Sequence, residues 1–133
     1  MQVLLVSPDP ESRELMSLAV RSLERRLGTP LRFSEAPDGD AGARRALRER
    51  PSVVVAEEIA SRAGAFAMAR TLRGDPDPFG GAIVILLERR QDAWLARWAG
   101  ADAWFVKPVD PFELADRLAE LVGVGEVAEK ETA

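Results

Sequence analysis

The chain has 133 residues, no cysteine, no histidine, a formal net charge of -4 and a pI near 5.0. That length suits one domain able to bury roughly two thirds of its unfolded surface. Disulfides, thiolate chemistry, cysteine-ligated zinc and histidine acid–base chemistry are excluded, which leaves carboxylates, lysine and hydroxyls as the chemical groups.

The acidic balance argues against direct nucleic-acid binding. No run of 18 uncharged apolar residues is present, and the N-terminal stretch meets charge too early for a signal peptide. The expectation is a cytoplasmic chain with no membrane contact. Among the 18 basic residues, Lys107 and Lys130 are the only lysines.

The elements follow in chain order. "VLLV" at residues 3–6 predicts a strand, β1. Asp9 is a fitting N-cap with Pro10 at the first helical position, and Met16, Val20, Leu23 and Leu27 repeat with helical spacing until Gly28 stops helix α1. Residues 31–36, β2, alternate Leu31 and Phe33 with polar partners as an edge strand does. Residues 38–50 predict α2, with Ala43, Ala46 and Leu47 on one side. "VVVA" at 53–56 predicts β3, which ends in the adjacent carboxylates Glu57 and Glu58.

Ala65, Met68, Ala69 and Leu72 fall on one face of α3, residues 64–73. "AIVILL" at 82–87 predicts β4, and residues 91–99 predict α4 with Trp94, Leu95, Trp98 and Ala99. "AWFV" at 103–106 predicts β5. Asp110 and Pro111 then open α5, which carries Phe112, Leu114, Ala115, Leu118, Leu121 and Val122. The remaining residues, 123–133, show no periodicity and read as a disordered tail or linker after a domain of residues 1–122.

Strand and helix alternate strictly with short connections, which implies right-handed crossovers and a parallel sheet covered on both faces. Continuous apolar runs belong to strands buried on both sides. Placing the alternating strand at an edge gives the order 2-1-3-4-5 in a three-layer αβα sandwich of the flavodoxin-like kind. Ligands in such sheets sit at the carboxyl ends of the strands beside the switch point, between β1 and β3.

"VLLVSPDPESRELM", "PSVVVAE" and "GADAWFVKPVDPFELADRL" together resemble the receiver domain of bacterial response regulators, in order and over residues 1–122. The resemblance implies a site where two acids after β1 and an aspartate after β3 hold Mg²⁺, and that aspartate accepts a phosphoryl group. It also implies a Thr or Ser after β4 and a lysine after β5 that contact phosphoryl oxygens. Carboxylates suit the hard cation, and lysine suits the developing charge. Here the acid pair is replaced by Ser7 and Pro8, the aspartate by Glu57 and the hydroxyl by Leu87, while Lys107 is kept.

The expectation is therefore a degenerate acceptor pocket of Ser7, Pro8, Asp9, Glu57, Leu87 and Lys107, with no cofactor, no catalytic residue and poor Mg²⁺ binding. Asp9 is open to two readings, substitute ligand or N-cap. Lys107 is open to two as well, a solvated strand-end lysine or an ion pair with Glu57. If exposed, that pair would contribute under about 1 kcal/mol. Glu58 reads as a loop residue.

Receivers signal through the α4-β5-α5 face, and Trp104 occupies the position of that family's mobile β5 aromatic. With Trp94, Trp98, Arg97, Asp102 and Arg117 it forms an expected surface for a protein partner or a self-dimer. Trp94 fits a core or an exposed position, and Trp98 an exposed one. Three functions stay open at this point. They are a pseudo-receiver acting by protein interaction without phosphorylation, a receiver that is still phosphorylated in two-component signalling, and the regulatory domain of a longer DNA-binding or enzymatic protein.

Overall fold

The computed structural model describes residues 1–59 and 64–132, with side chains described as far as residue 123. Five strands, β1 (Gln2–Val6), β2 (Arg32–Ala36), β3 (Val53–Glu57), β4 (Ala82–Leu87) and β5 (Ala103–Val106), alternate with α1 (Pro10–Leu27), α2 (Gly39–Glu49), α3 (Ala65–Gly74), α4 (Ala93–Ala99) and α5 (Pro111–Thr132). The sheet is parallel throughout in the order β2-β1-β3-β4-β5. This is the expected flavodoxin-like sandwich.

The apolar runs are continuous because each strand feeds two cores. Leu4, Val6, Val54, Ala56, Ile83 and Ile85 face α2, α3 and α4. Their neighbours Val3, Leu5, Val53, Val55, Val84 and Leu86 face α1 and α5. Nearly all are fully buried, each large side chain contributing ~1.5–3 kcal/mol of transfer free energy. Side-chain alternation along a strand divides the residues between the layers.

Both Asp-Pro helix starts are formed. Asp9 Oδ1 accepts from Glu11 N at 3.1 Å and Asp110 Oδ1 from Phe112 N at 2.8 Å. Gly28 closes α1 with φ +66, a conformation that costs a residue with a Cβ. Edge strand β2 departs from the expectation in one respect. Leu31 precedes the strand and is buried, whereas Phe33 is 42% exposed.

Two helices differ from the sequence reading. The predicted start of α4 is a 3-10 turn, Arg90–Asp92, and the α-helix proper begins at Ala93. Helix α5 runs on to Thr132 instead of stopping near Val122. Gly123 and Gly125 each disfavour helix by about 1 kcal/mol, but no proline follows, and the intervening Ala, Glu and Val residues carry the backbone on. Among the described residues no helix is long and apolar enough to cross a membrane.

Candidate functional site

Chain crossover places the ends of β1 and β3 side by side at the carboxyl edge of the sheet, with Val6 opposite Ala56. Ser7 and Glu57, the next residues, are both buried, at 0% and 4% exposure. Ser7 Oγ donates to Glu57 Oε1 at 3.0 Å and accepts from Asp9 N at 3.0 Å. One hydroxyl thus links the start of α1 to the β3 carboxylate.

Lys107 approaches from the other side. It follows β5, anchored by its N–H on Leu87 O at 2.8 Å, and must reach across β4 to meet β3. Two strand spacings amount to about 10 Å. The extra methylene of glutamate over aspartate carries the carboxylate into that gap. Lys107 Nζ lies 2.5 Å from Glu57 Oε2 and 3.6 Å from Glu88 Oε1, so the ion-pair reading of Lys107 holds over the solvated one. The Lys107–Pro108 peptide bond is cis.

Sequence reasoning missed Ser12. Its hydroxyl sits against Glu57 Oε2 and lies 3.1 Å from Asp9 Oδ2. Position i+3 from the N-cap, on a helix that starts beside the switch point, was the available signal. Glu57 therefore has hydroxyls on both oxygens and an ammonium on one. Asp9 acts as the N-cap, its two oxygens turned to Glu11 N and Ser12 Oγ.

Asp9, Ser12, Glu57 and Lys107 line an open cleft of about 530 Å³ with Glu11, Leu15, Leu86, Pro108 and Val109. Three expected pocket members lie outside it. Ser7 and Pro8 border a recess of about 10 Å³ toward Asp38 and Gly39, from which Ser7 still reaches Glu57. Leu87 is fully buried in the α2/α3/α4 core, and Leu86 lines the cleft in its place. Alternation along β4 is the reason: a shift of one residue turns a side chain to the other face.

Glu58 is more than a loop residue. Its Oε1 accepts from Phe66 N at 2.9 Å in the first turn of α3, where the N-cap, Gly64, has no side chain to do so. Partial burial pushes its carboxyl above the usual glutamate value, with Asp92 and Glu88 adding repulsion against the opposing hydrogen bonds. The folded state then binds more protons than the unfolded one between 4.5 and the raised value. Glu58's contribution is fully favourable below that window and is lost as pH rises through it. Glu58→Gln should flatten this part of the profile: urea unfolding of the variant should show a smaller loss of stability between acid and neutral pH than the parent.

The expected partner surface is only partly assembled. Trp94 and Trp98 stand 65% and 57% exposed on α4, so the exposed reading of Trp94 holds. Ala96 and Ala99 supply that helix's buried face instead. Arg97 lies over the half-buried Trp104 ring, 5.7 Å from its centroid. Arg117 pairs with Glu120 along α5 at 2.6 Å. Asp102 does not join this surface. It precedes β5 at the opposite end of the sheet, where Oδ2 accepts from Ile83 N and from Arg73 Nη2, both at 2.8 Å. Its charge is taken up in holding the β4–β5 edge to α3.

No protein-family model matches this sequence, and no curated protein matches it. Solved structures do. One assigned as a response regulator of Chloroflexus aurantiacus J-10-fl is 18% identical, with 92% of this chain and 97% of that one covered at a TM-score of 0.79. The receiver domain of a sensor histidine kinase of Pseudomonas aeruginosa PAO1, solved with magnesium in its active-site cleft, gives 22%, 92%, 97% and 0.75. A chemotaxis response regulator of Vibrio cholerae gives 20%, 90%, 97% and 0.74. At these identities the likeness is one of fold: the chain has the five-stranded architecture of response-regulator receiver domains.

Proposed function

We propose that this chain is a receiver-fold module of bacterial signal transduction that acts through protein contacts without being phosphorylated. The observation that carries the reading is the state of Glu57. The acceptor position is filled by a buried carboxylate whose oxygens already meet Ser7, Ser12 and Lys107. A phosphoryl group would have to displace the Ser7 hydroxyl from Oε1, or both Ser12 and Lys107 from Oε2.

The donor set also does not fit the magnesium ion that the fold family implies. Mg²⁺ needs near-octahedral oxygens and is usually held by one or two carboxylates with its waters. Ser7 turns its hydroxyl to Glu57, Pro8 carries no side-chain oxygen, and Asp9 caps α1. Among the described residues no group of three or more Asp or Glu side chains gathers around a common point. Placement errors near 1 Å can cost on the order of 100-fold in positioned chemistry, and glutamate for aspartate is an error of that size. The reading gives the domain no enzymatic role and places it in the cytoplasm. Its output is the exposed surface at α4 and β5.

Incubation with Mg²⁺ and acetyl phosphate should leave the intact mass unchanged. A gain of one phosphoryl group would overturn the reading in favour of a phosphorylatable receiver. The companion variant carries Ser7→Asp, Pro8→Asp and Glu57→Asp together and should acquire Mg²⁺ binding by calorimetry. No gain there would mean that these positions do not form the pocket described.

A further inference from the structure

We propose that the face shared by α3 and α4 docks an acidic, apolar-anchored segment of a partner protein. The inference rests on the interaction-module reading and names the chemistry of what is bound. Trp94 and Trp98 lie one turn apart on a seven-residue helix whose inward face is already supplied by Ala96 and Ala99. Both indoles are left to solvent by packing that does not use them. Exposed large aromatics side by side mark a binding surface, and tryptophan is among the residues most enriched in binding hot spots.

The charge beside them selects the partner. The Arg70 guanidinium of α3 lies 4.1 Å from the centroid of the Trp98 ring, and Arg97 lies over Trp104. Among the described residues, nine ion pairs are formed and neither arginine takes part in any of them. The nearby acids are occupied, Glu88 by Lys107 and Asp92 by Arg89. On a chain of net charge -4 this face is thus a cationic island with aromatic walls. A guanidinium held over an indole can still offer N–H groups to a carboxylate and has less freedom left to lose on binding. Its complement is a segment that presents carboxylates beside apolar side chains. Single-stranded nucleic acid could stack on the same rings, but two guanidiniums on an acidic chain are a weak match for a polyphosphate.

The test titrates the full chain with a synthetic peptide of Glu and Leu spaced to form an acidic amphipathic helix. A Lys-for-Glu peptide and an oligothymidylate run in parallel. Tryptophan emission should shift saturably with the acidic peptide and not with the basic one. Trp98→Ala should weaken binding about 30-fold, and Arg70→Gln about fivefold, with less loss at high salt because part of the attraction is already screened. Both side chains are exposed, and far-UV circular dichroism checks that the variants fold. Should Trp98→Ala fail that check, the Arg70→Gln result decides. An absent saturable shift, affinity unchanged in the variants, or tighter binding of the oligothymidylate would overturn the proposal. No phosphoryl donor or Mg²⁺ enters this assay, so its failure is distinct from failure of the acetyl phosphate test.

Discussion

Lys107→Met should lower the unfolding free energy by about 2–3 kcal/mol, measured by urea denaturation near neutral pH. The Glu57 side chain is 2% exposed, so it cannot exchange its lysine for bulk water. Losing one member of a fully buried pair costs on the order of 3–5 kcal/mol, because the remaining charge is left uncompensated. Two features lower the figure here. Lys107 is itself 31% exposed at the mouth of the cleft, and the hydroxyls of Ser7 and Ser12 stay in place around the carboxylate. Glu57→Gln should cost less, about 1 kcal/mol, since an amide oxygen still accepts from a serine and no buried charge is orphaned. The double variant should recover part of the lysine loss, and a double-mutant cycle reads that coupling directly. A Lys107→Met change within about 0.5 kcal/mol of the parent, the range of ordinary surface substitutions, would show the pair to be screened by solvent.

Arg73→Ala should cost about 3 kcal/mol by the same measurement, as much as truncating a core side chain. Its guanidinium, at the end of α3, donates to Gly100 O at 3.0 Å, Phe79 O at 2.7 Å, Gly81 O at 3.0 Å and Asp102 Oδ2 at 2.8 Å. Asp102 in turn accepts from Ile83 N, so one side chain joins α3, the entry to β4 and the α4–β5 turn. The turn fits closely around it. Gly100 has φ +97, and a Cβ there would come 2.7 Å from Arg73 Cγ. Truncation would leave three backbone carbonyls to find new partners and Asp102 without its cation. Arg73→Lys should restore little, because an ammonium is a point charge and cannot reproduce a planar fork with several donors. If the lysine variant proves as stable as the parent, this account of the clasp is wrong.

The sequence alone determined the architecture. Strands buried on both faces must be apolar without a break, and β1, β3 and β4 are. Asp9-Pro10 and Asp110-Pro111 are local signals that act within one turn, so both helix starts could be placed before any tertiary contact was known. The edge position of β2 was legible from its polar pattern and agreed with the order the sheet adopts. The meeting of Ser7, Glu57 and Lys107 followed in turn, because topology brings the ends of β1, β3 and β5 to one edge.

Tertiary structure decided what depends on side-chain direction and on pairs far apart in the chain. Ser12 meets Glu57 across 45 positions, and Arg73 takes Asp102 across 29. No local pattern marks either pair. Leu86 and not Leu87 borders the cleft because the cleft opens on the α1/α5 side of β4 and Leu87 points into the α2/α3/α4 core, one residue of register away. On α4 the hydropathy pattern left Trp94 open to a core or an exposed position, and the packing decided it by burying the small Ala96 and Ala99. Hydrophobicity says that a residue gains by leaving water, but the space between two backbones sets which residue can do so. On α4 that space left the indoles outside.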